Sequence, residues 1–552
     1  MTALADGPGP VARTYGGWQR DRSAFAFGLS PLRAAMCAAA VLCAVIPLVA
    51  RSLGAALLFV PVGLLLVAAA FARVAGRYTN EWAADAARFT IARSSGTTAF
   101  LAARPAPADT GAWSGTGRDP AVPGDPGDPG DHGDRGDGGD GGGQGAAPAM
   151  DLPGTLAPLR FLRAETGRGT HVAVVHHPLD NTFTVVARIS GAGLSLADTS
   201  RRDARVAGWG SLLASLCTET NAIVRVQACV RAVPGDSTAL RRWHTAHVAA
   251  SAPAVAVANA EQLLSASGAA GAQHETWLVF TLSGGRARAD IRAAGGGDSG
   301  ACAVAWRRVH ALEEGLRQAT LPVQEWLDVR ELAEAVRTGF DPASVPALSA
   351  RRLSARAALD ATGVNPGLAP GLAPHLAGPA AADTGWKSYT HDGATSVTFA
   401  VADWPRTNVH ASFLTPVLHS AGSRRSFSLH VEPLGPREAR RRIAVEATKA
   451  ETALALARKT GRVVSEEERE QRRRIGDQDR EQAVGHGLVR FQGYLTVTVT
   501  DPAQLDRAVS DLEADAAAAR LELRRLYTQQ DVGFFACVLP LGQGLPLRRA
   551  GL

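Results

Sequence analysis

The sequence predicts a membrane α-helical hairpin followed by two α/β (or α+β) cytosolic domains. Three observations predict it. Two nearly uncharged apolar runs, 34–50 and 52–72, lie side by side with Arg51 between them. An abrupt Gly, Asp and Pro-rich stretch follows. Beyond it come two long blocks in which alternating β-branched runs interchange with runs of helical periodicity. At 552 residues the chain is also too long for one hydrophobic core, which stops growing near roughly 250–300 residues.

The apolar runs hold 17 and 21 residues, close to the ~20 needed to cross a hydrocarbon core. A basic stretch ahead of an apolar one also fits a signal peptide. The second run directly behind the first, and the lack of a cleavage site, favour a retained hairpin at 34–72 after an amino-terminal segment 1–33. Arg13, Arg20, Arg22 and Arg33 precede the hairpin and Arg73, Arg77, Arg88 and Arg93 follow it. Positive charge collects on the cytoplasmic side, so the expectation is a multi-pass protein of the cell membrane with both termini cytoplasmic and the lipid bilayer as a partner. A juxtamembrane segment, 73–104, then leads out.

Residues 105–150 read as a disordered Gly/Asp/Pro-rich tether. Its glycines recur every third residue from Gly124 to Gly142, but the triplets are loaded with Asp and poor in Pro, which a collagen triple helix does not tolerate. Seven Asp against two Arg between 117 and 147 make this stretch acidic, while the whole chain carries +6.

The first soluble block, 151–362, opens with strands at 171–177 and 182–190 around the turn residues Pro178 to Asn181. Val206, Trp209, Leu212, Leu213 and Leu216 then mark one face of a helix. A strand at 223–233, a helical region at 238–264 broken near Pro253, a strand at 275–282 and a helix at 303–318 complete the block. An Ala/Pro/Gly-rich linker, 363–385, separates it from the second block, 386–552, which repeats the grammar. Strands are expected at 396–402, 426–431, 488–500 and 532–539, and helices at 437–458, 466–482 and 502–518. Ser465 with Glu468 forms a capping box for one of these helices.

The chemistry is mostly negative. No GxxxxGK[ST], GxSxG or HExxH pattern occurs, and three lysines lack any glycine-rich loop, so there is no P-loop and no autonomous ATPase. Six cysteines fall in no zinc-type spacing and suggest no disulfide framework. His176 and His177 are adjacent on a strand and face opposite ways, which disfavours a shared metal. Glu325, Asp328 and Asp341 offer carboxylates to His310, but solvated surface acids are the default. Arg437, Arg440, Arg441 and Arg442, with Arg472, Arg473 and Arg474, are interleaved with Glu438, Glu446, Glu467, Glu468, Glu470 and Asp477. That reads as a solvated helix face and argues against direct nucleic-acid binding. No catalytic, cofactor-binding or metal residue is assigned, and no cofactor is expected.

Several phrases, with the apolar hairpin, together carry a resemblance: TYGGWQRDR (14–22), LPGTLAPL (152–159), HVAVVHHP and TFTVVARISG, RVAGWGSLLASL (205–216) and LRRLYTQQDVGFFACVLPLGQGL (523–545), while DWPRTNVHASFLTPVLHS (403–420) is similar to a segment of a conjugation ATPase's amino-terminal domain. The chain resembles an actinobacterial integral membrane protein family of integrative conjugative elements. That family looks like a type IV secretion membrane subunit fused to the amino-terminal domain of the conjugation ATPase, without the motor domain. The resemblance implies a non-enzymatic, membrane-anchored component of a conjugative DNA-transfer or type IV secretion-like apparatus. It implies as partners a separate motor ATPase and other secretion-machine subunits, and leaves room for a homo-oligomer. Two alternatives stand beside it: an EccE-like subunit of type VII secretion, and a membrane-tethered enzyme with an unrecognised site.

Overall fold

The computed structural model describes residues 31–544 apart from 51–52, 75–76, 103–150, 168, 190–197, 235–237, 271, 363–370, 406, 408, 411, 419–422, 460 and 462. The 105–150 segment and the TYGGWQRDR phrase lie outside the described residues.

The apolar runs form two helices, α1 (Pro31–Ala50) and α2 (Leu53–Phe71), packed on each other with Gly63 set against Ala40 and Cys43. Each contains a proline, Pro47 or Pro61, which removes a backbone donor from the helix interior. Among the described residues no helix is long and apolar enough to cross a membrane. The expectation of a membrane hairpin, and with it transmembrane character and a multi-pass place in the cell membrane, is corrected. Apolar composition belongs to a run of sequence, whereas spanning needs one helix with both the length and the unbroken hydropathy. Leu42, Val49, Leu57, Leu64 and Leu65 remain exposed on the outer faces of the pair.

A short ladder of β1 (Arg73–Val74) and β2 (Arg77–Tyr78) leads into α3 (Thr79–Ser94) and β3 (Ala99–Leu101). Trp82 and Phe89 fasten α3 to the main body, with ring centroids 5.7 and 5.3 Å from Trp386, and Trp82 lies 4.8 Å from Tyr527.

The remainder is one sheet, not two separate α/β domains, which corrects the second half of the expected fold class. Its first repeat comprises β4 (Arg160–Glu165), β5 (His171–His177), β6 (Thr182–Ile189), α4 (Thr199–Leu216), β7 (Ile223–Pro234), α5 (Thr238–His247), α6 (Ala254–Ala270), β8 (Ala272–Ser283), α7 (Arg288–Ala293), α8 (Gly297–His310), α9 (Glu313–Gln318), β9 (Val323–Trp326) and α10 (Val329–Phe340). After α11 (Val345–Thr362) the second repeat runs β10 (Ala381–Thr384), β11 (Tyr389–His391), β12 (Ala394–Asp403), α12 (Thr415–Leu418), β13 (Arg424–Pro433), α13 (Pro436–Lys459), α14 (Glu466–Ala483), β14 (Val489–Val499), α15 (Leu505–Ala518), β15 (Glu522–Arg525) and α16 (Gln530–Val538).

The two repeats have the same connectivity. From the middle outward the first reads β7-β8-β6-β5-β4 with β9 on β6, and the second reads β13-β14-β12-β11-β10 with β15 on β12. They meet where β7 and β13 pair antiparallel, with Cys229 opposite Ser428. An antiparallel junction relates equivalent edges by a two-fold axis, so the chain is an internal pseudo-dimer of two six-stranded repeats, and β3 on the edge of β10 is the thirteenth described strand of the sheet. Equivalent details recur. A hydroxyl pair joins Thr184 to Thr281 at 3.1 Å in one repeat and Ser396 to Thr498 at 2.8 Å in the other. Trp277 stands opposite Cys229, and Tyr494 stands opposite Ser428.

Strand alternation divides the core. Trp277, Val279 and Tyr494 face a shared layer with α10 and α16. Leu278, Phe280 and Leu282 face α4, α8 and α9, while Leu495, Val497 and Val499 face α15 on the same side. The expected closing strand at 532–539 is helix α16. Its run of buried apolar residues has no polar face to reveal a helical period, because it lies between the sheet and the rest of the shared core. Gly533 permits the close approach, since a Cβ there would sit 2.6 Å from Leu526 and 3.0 Å from Thr398. Gln530 fixes the helix to β12: its carbonyl accepts from Thr398 N at 2.8 Å, and its amide donates to Thr398 O and Leu526 O.

The flanks of 103–150 sit together. Ala102 N donates to Ala380 O at 2.9 Å, and Asp151 O packs against Gly378. The 48 intervening residues therefore leave and re-enter the fold at one place. Replacing them with a ten-residue Gly/Ser loop should raise stability by about 1 kcal/mol, because closure entropy falls with the logarithm of loop length. A urea midpoint that falls would contradict this.

Candidate docking surface

Each repeat inserts a helical arm between its seam strand and the neighbouring inner strand. The first arm is α5 and α6, and the second is α13 and α14. Because the seam strands run antiparallel, the arms leave from opposite ends of the sheet. Arg242 holds α5 to α11 by donating to Ser354 Oγ at 2.9 Å and Ala350 O at 3.3 Å. Trp243 is 60% exposed and stacks on His247 at 4.6 Å, with Val255 and Leu263 also exposed.

The second arm is longer. At its root Glu219 accepts from Arg437 N at 2.6 Å, and Gln482 donates to Pro436 O at 3.1 Å. Gly461, with φ +65°, allows the chain to reverse after α13, and the Ser465–Glu468 capping box starts α14 as the sequence predicts. Arg469, Arg473 and Arg480 pair with Glu466, Glu470 and Asp477 along α14, and Arg472 reaches across to Glu451 at 3.9 Å. Between the two helices lies an open cleft of about 700 Å³ lined by Arg458, Arg469, Arg472, Arg473 and Arg480. Leu454 and Val464 supply apolar lining and Asp477 an acid. The interleaved acids seen in the sequence lie on these helices, but the cleft lining itself is predominantly basic.

The interior holds most of the remaining polar chemistry, and it is structural. At the seam Arg231 is fully buried, 4.6 Å over the Trp277 ring, donating to Ala335 O at 2.8 Å, Thr338 Oγ1 at 2.7 Å and Glu275 Oε2 at 2.8 Å. Burial alone would raise the Glu275 carboxyl, but the Arg231 charge and hydrogen bond hold it below the ordinary range. His430 occupies the equivalent place in the second repeat, edge-on to Tyr494 at 5.4 Å and 2.8 Å from Ala536 O of α16. The grip also crosses the seam: Arg424 of β13 donates to Thr338 O of α10, and Arg225 of β7 donates to Gly542 O beyond α16. Burial, then the neighbouring Arg231 charge, pulls the Arg424 guanidinium down to about 9.

His391 Nε2 lies 2.8 Å from Ser396 Oγ, a pairing that resembles a nucleophile and its base. Both residues are fully buried, however, and Ser396 continues to Thr498 while His391 Nδ1 is held by Phe340 O. The pair therefore serves as a strand-to-helix link. The other residues weighed from the sequence do not converge. Asp328 caps α10, Glu325 pairs with Arg188 at 2.9 Å, Asp341 with Arg337 at 3.1 Å, and His310 lies 3.4 Å from Glu313. His176 stacks on Phe183 at 4.5 Å, whereas buried His177 accepts from Asp180 N in the turn. Among the described residues no cluster of His, Cys, Asp and Glu has the makings of a metal site.

Two predictions follow from this interior. Burial lowers His391 to about 4 and His430 to about 3, so both are neutral in the fold and must be stripped of protons gained in the unfolded chain. Stability present above the unfolded value of about 6.5 should be lost as pH falls toward 4 and then 3. Thermal melting between pH 7 and 4 checks this, and replacing both histidines with Gln should flatten the fall. Arg231→Met should cost about 3 kcal/mol in urea unfolding, since it strands Glu275, and adding Glu275→Leu should restore much of that. No protein-family model and no curated protein matches the chain.

Proposed function

We propose that this chain is a non-enzymatic docking component of a conjugative DNA-transfer or type IV secretion-like apparatus, holding a separate motor ATPase through its projecting arms. The observation that carries the reading is the placement of the arms. Both repeats insert one at the same topological position, outside a sheet whose buried polar residues are spent on its own helices. The resemblance of the 403–420 segment to part of a conjugation ATPase's amino-terminal domain, in a family that lacks the motor domain, supports a partner that supplies the motor. The missing phosphate loop agrees with that division of labour.

The full chain, co-expressed with the motor ATPase of its own conjugative element, should co-elute with it on size exclusion. Replacing residues 445–476 by a four-residue Gly/Ser turn should abolish the complex while leaving the melting transition of the sheet in place. Absence of a complex with the intact chain would overturn the proposal.

A further inference from the structure

We infer that the cleft between α13 and α14 recognises an acidic, amphipathic segment of a partner protein. The inference rests on reading the arms as docking elements, but it is measured at the cleft alone. Five arginines line an open space of about 700 Å³, within the range of ordinary ligand pockets. Arginine in that density matches carboxylates, which it holds through two parallel hydrogen bonds.

The present partners of these arginines do not close the site. Arg469, Arg472, Arg473 and Arg480 have side chains 56–79% exposed, and their carboxylates come from the same two helices. Such exposed surface pairs are weak, so an incoming carboxylate exchanges for them at little cost. Leu454 and Val464 within the cleft, with Val463 85% exposed beside it, require apolar side chains between the partner's acids.

A nucleic acid fits less well. Helices α13 and α14 contain no aromatic residue on which a base could stack, and their 12 basic residues are offset by 10 acidic ones. The chain's own 117–147 stretch is acidic but supplies Gly and Asp without the large apolar side chains that the lining calls for.

Fluorescence anisotropy of the full chain with a labelled (Glu-Glu-Leu-Leu)₃ peptide tests the inference. Saturable binding is expected, weakened at least about tenfold by Arg472→Gln with Arg480→Gln, an amount equal to about 1.4 kcal/mol. Arg440→Gln with Arg441→Gln removes the same charge at the arm's root and should change affinity less than about twofold if the cleft, and not bulk charge, is responsible. A Glu/Ser peptide of equal charge should bind several-fold more weakly. Should the glutamine pair unfold the arm by circular dichroism, Arg472→Lys with Arg480→Lys keeps the charge, loses the fork and should still weaken binding. Equal loss from the two glutamine pairs, or no binding at all, overturns the inference. So does a thymidine oligonucleotide that binds as tightly, or a deletion of 117–147 that raises peptide affinity tenfold by vacating the cleft. Peptide binding that persists when no motor complex forms would overturn the motor reading alone.

Discussion

Everything in the sheet depends on the antiparallel pairing of β7 with β13. A strand edge is a row of unpaired donors and acceptors, and each repeat carries one along its seam strand. Joining them satisfies both rows and places the two repeats about one axis through Cys229 and Ser428. The junction also creates a single apolar layer beneath α10 and α16, shared by both repeats, while the opposite face keeps two separate cores. Neither repeat has a complete interior without the other.

Buried polarity marks the same line. Burying a guanidinium is costly unless its donors are met, and Arg231 meets most of them with a helix carbonyl, a hydroxyl and a carboxylate. Arg231 and Arg424 carry positive charge to the end of α10, where the helix dipole favours it. In the second repeat a neutral His430 makes the corresponding contact, and positive charge reaches it across the seam from Arg225 of β7. The repeats have diverged in residue type while keeping the geometry, so one helix is held by charge and the other by burial. Hydrogen bonds from Arg424 to α10 and from Arg225 to the segment after α16 tie the helices of each repeat across the seam. The Ser396–His391 pair belongs to this framework and has no opening to a substrate.

The arms outside the sheet also differ between the repeats. The first arm is short, tied to α11, and presents Trp243. The second is a long charged hairpin stiffened by ion pairs three and four residues apart, with an arginine-lined cleft. An inserted hairpin costs the sheet nothing in strand pairing, since it begins and ends on adjacent strands, so it can change in length and chemistry independently of the core. The pseudo-symmetric body therefore carries two dissimilar projections.

The sequence by itself determined the elements whose signal is local. The alternation of 171–177 and 182–189, the break near Pro253, the helices of the second arm and the Ser465–Glu468 start were all legible, because propensity, capping and periodicity act within a few residues. The arginines of the cleft were legible as residues, but their convergence was not, since it requires two antiparallel helices to face one another. Short strands such as β9 and β15 gain their identity only by pairing with β6 and β12, and α16 read as a strand because burial on all sides erased its polar stripe. The similar grammar of the two blocks was visible, yet it suggested two domains. Only tertiary structure decided that their seam strands pair, because register between residues some two hundred positions apart depends on complementary edges and shared burial, which no local pattern encodes.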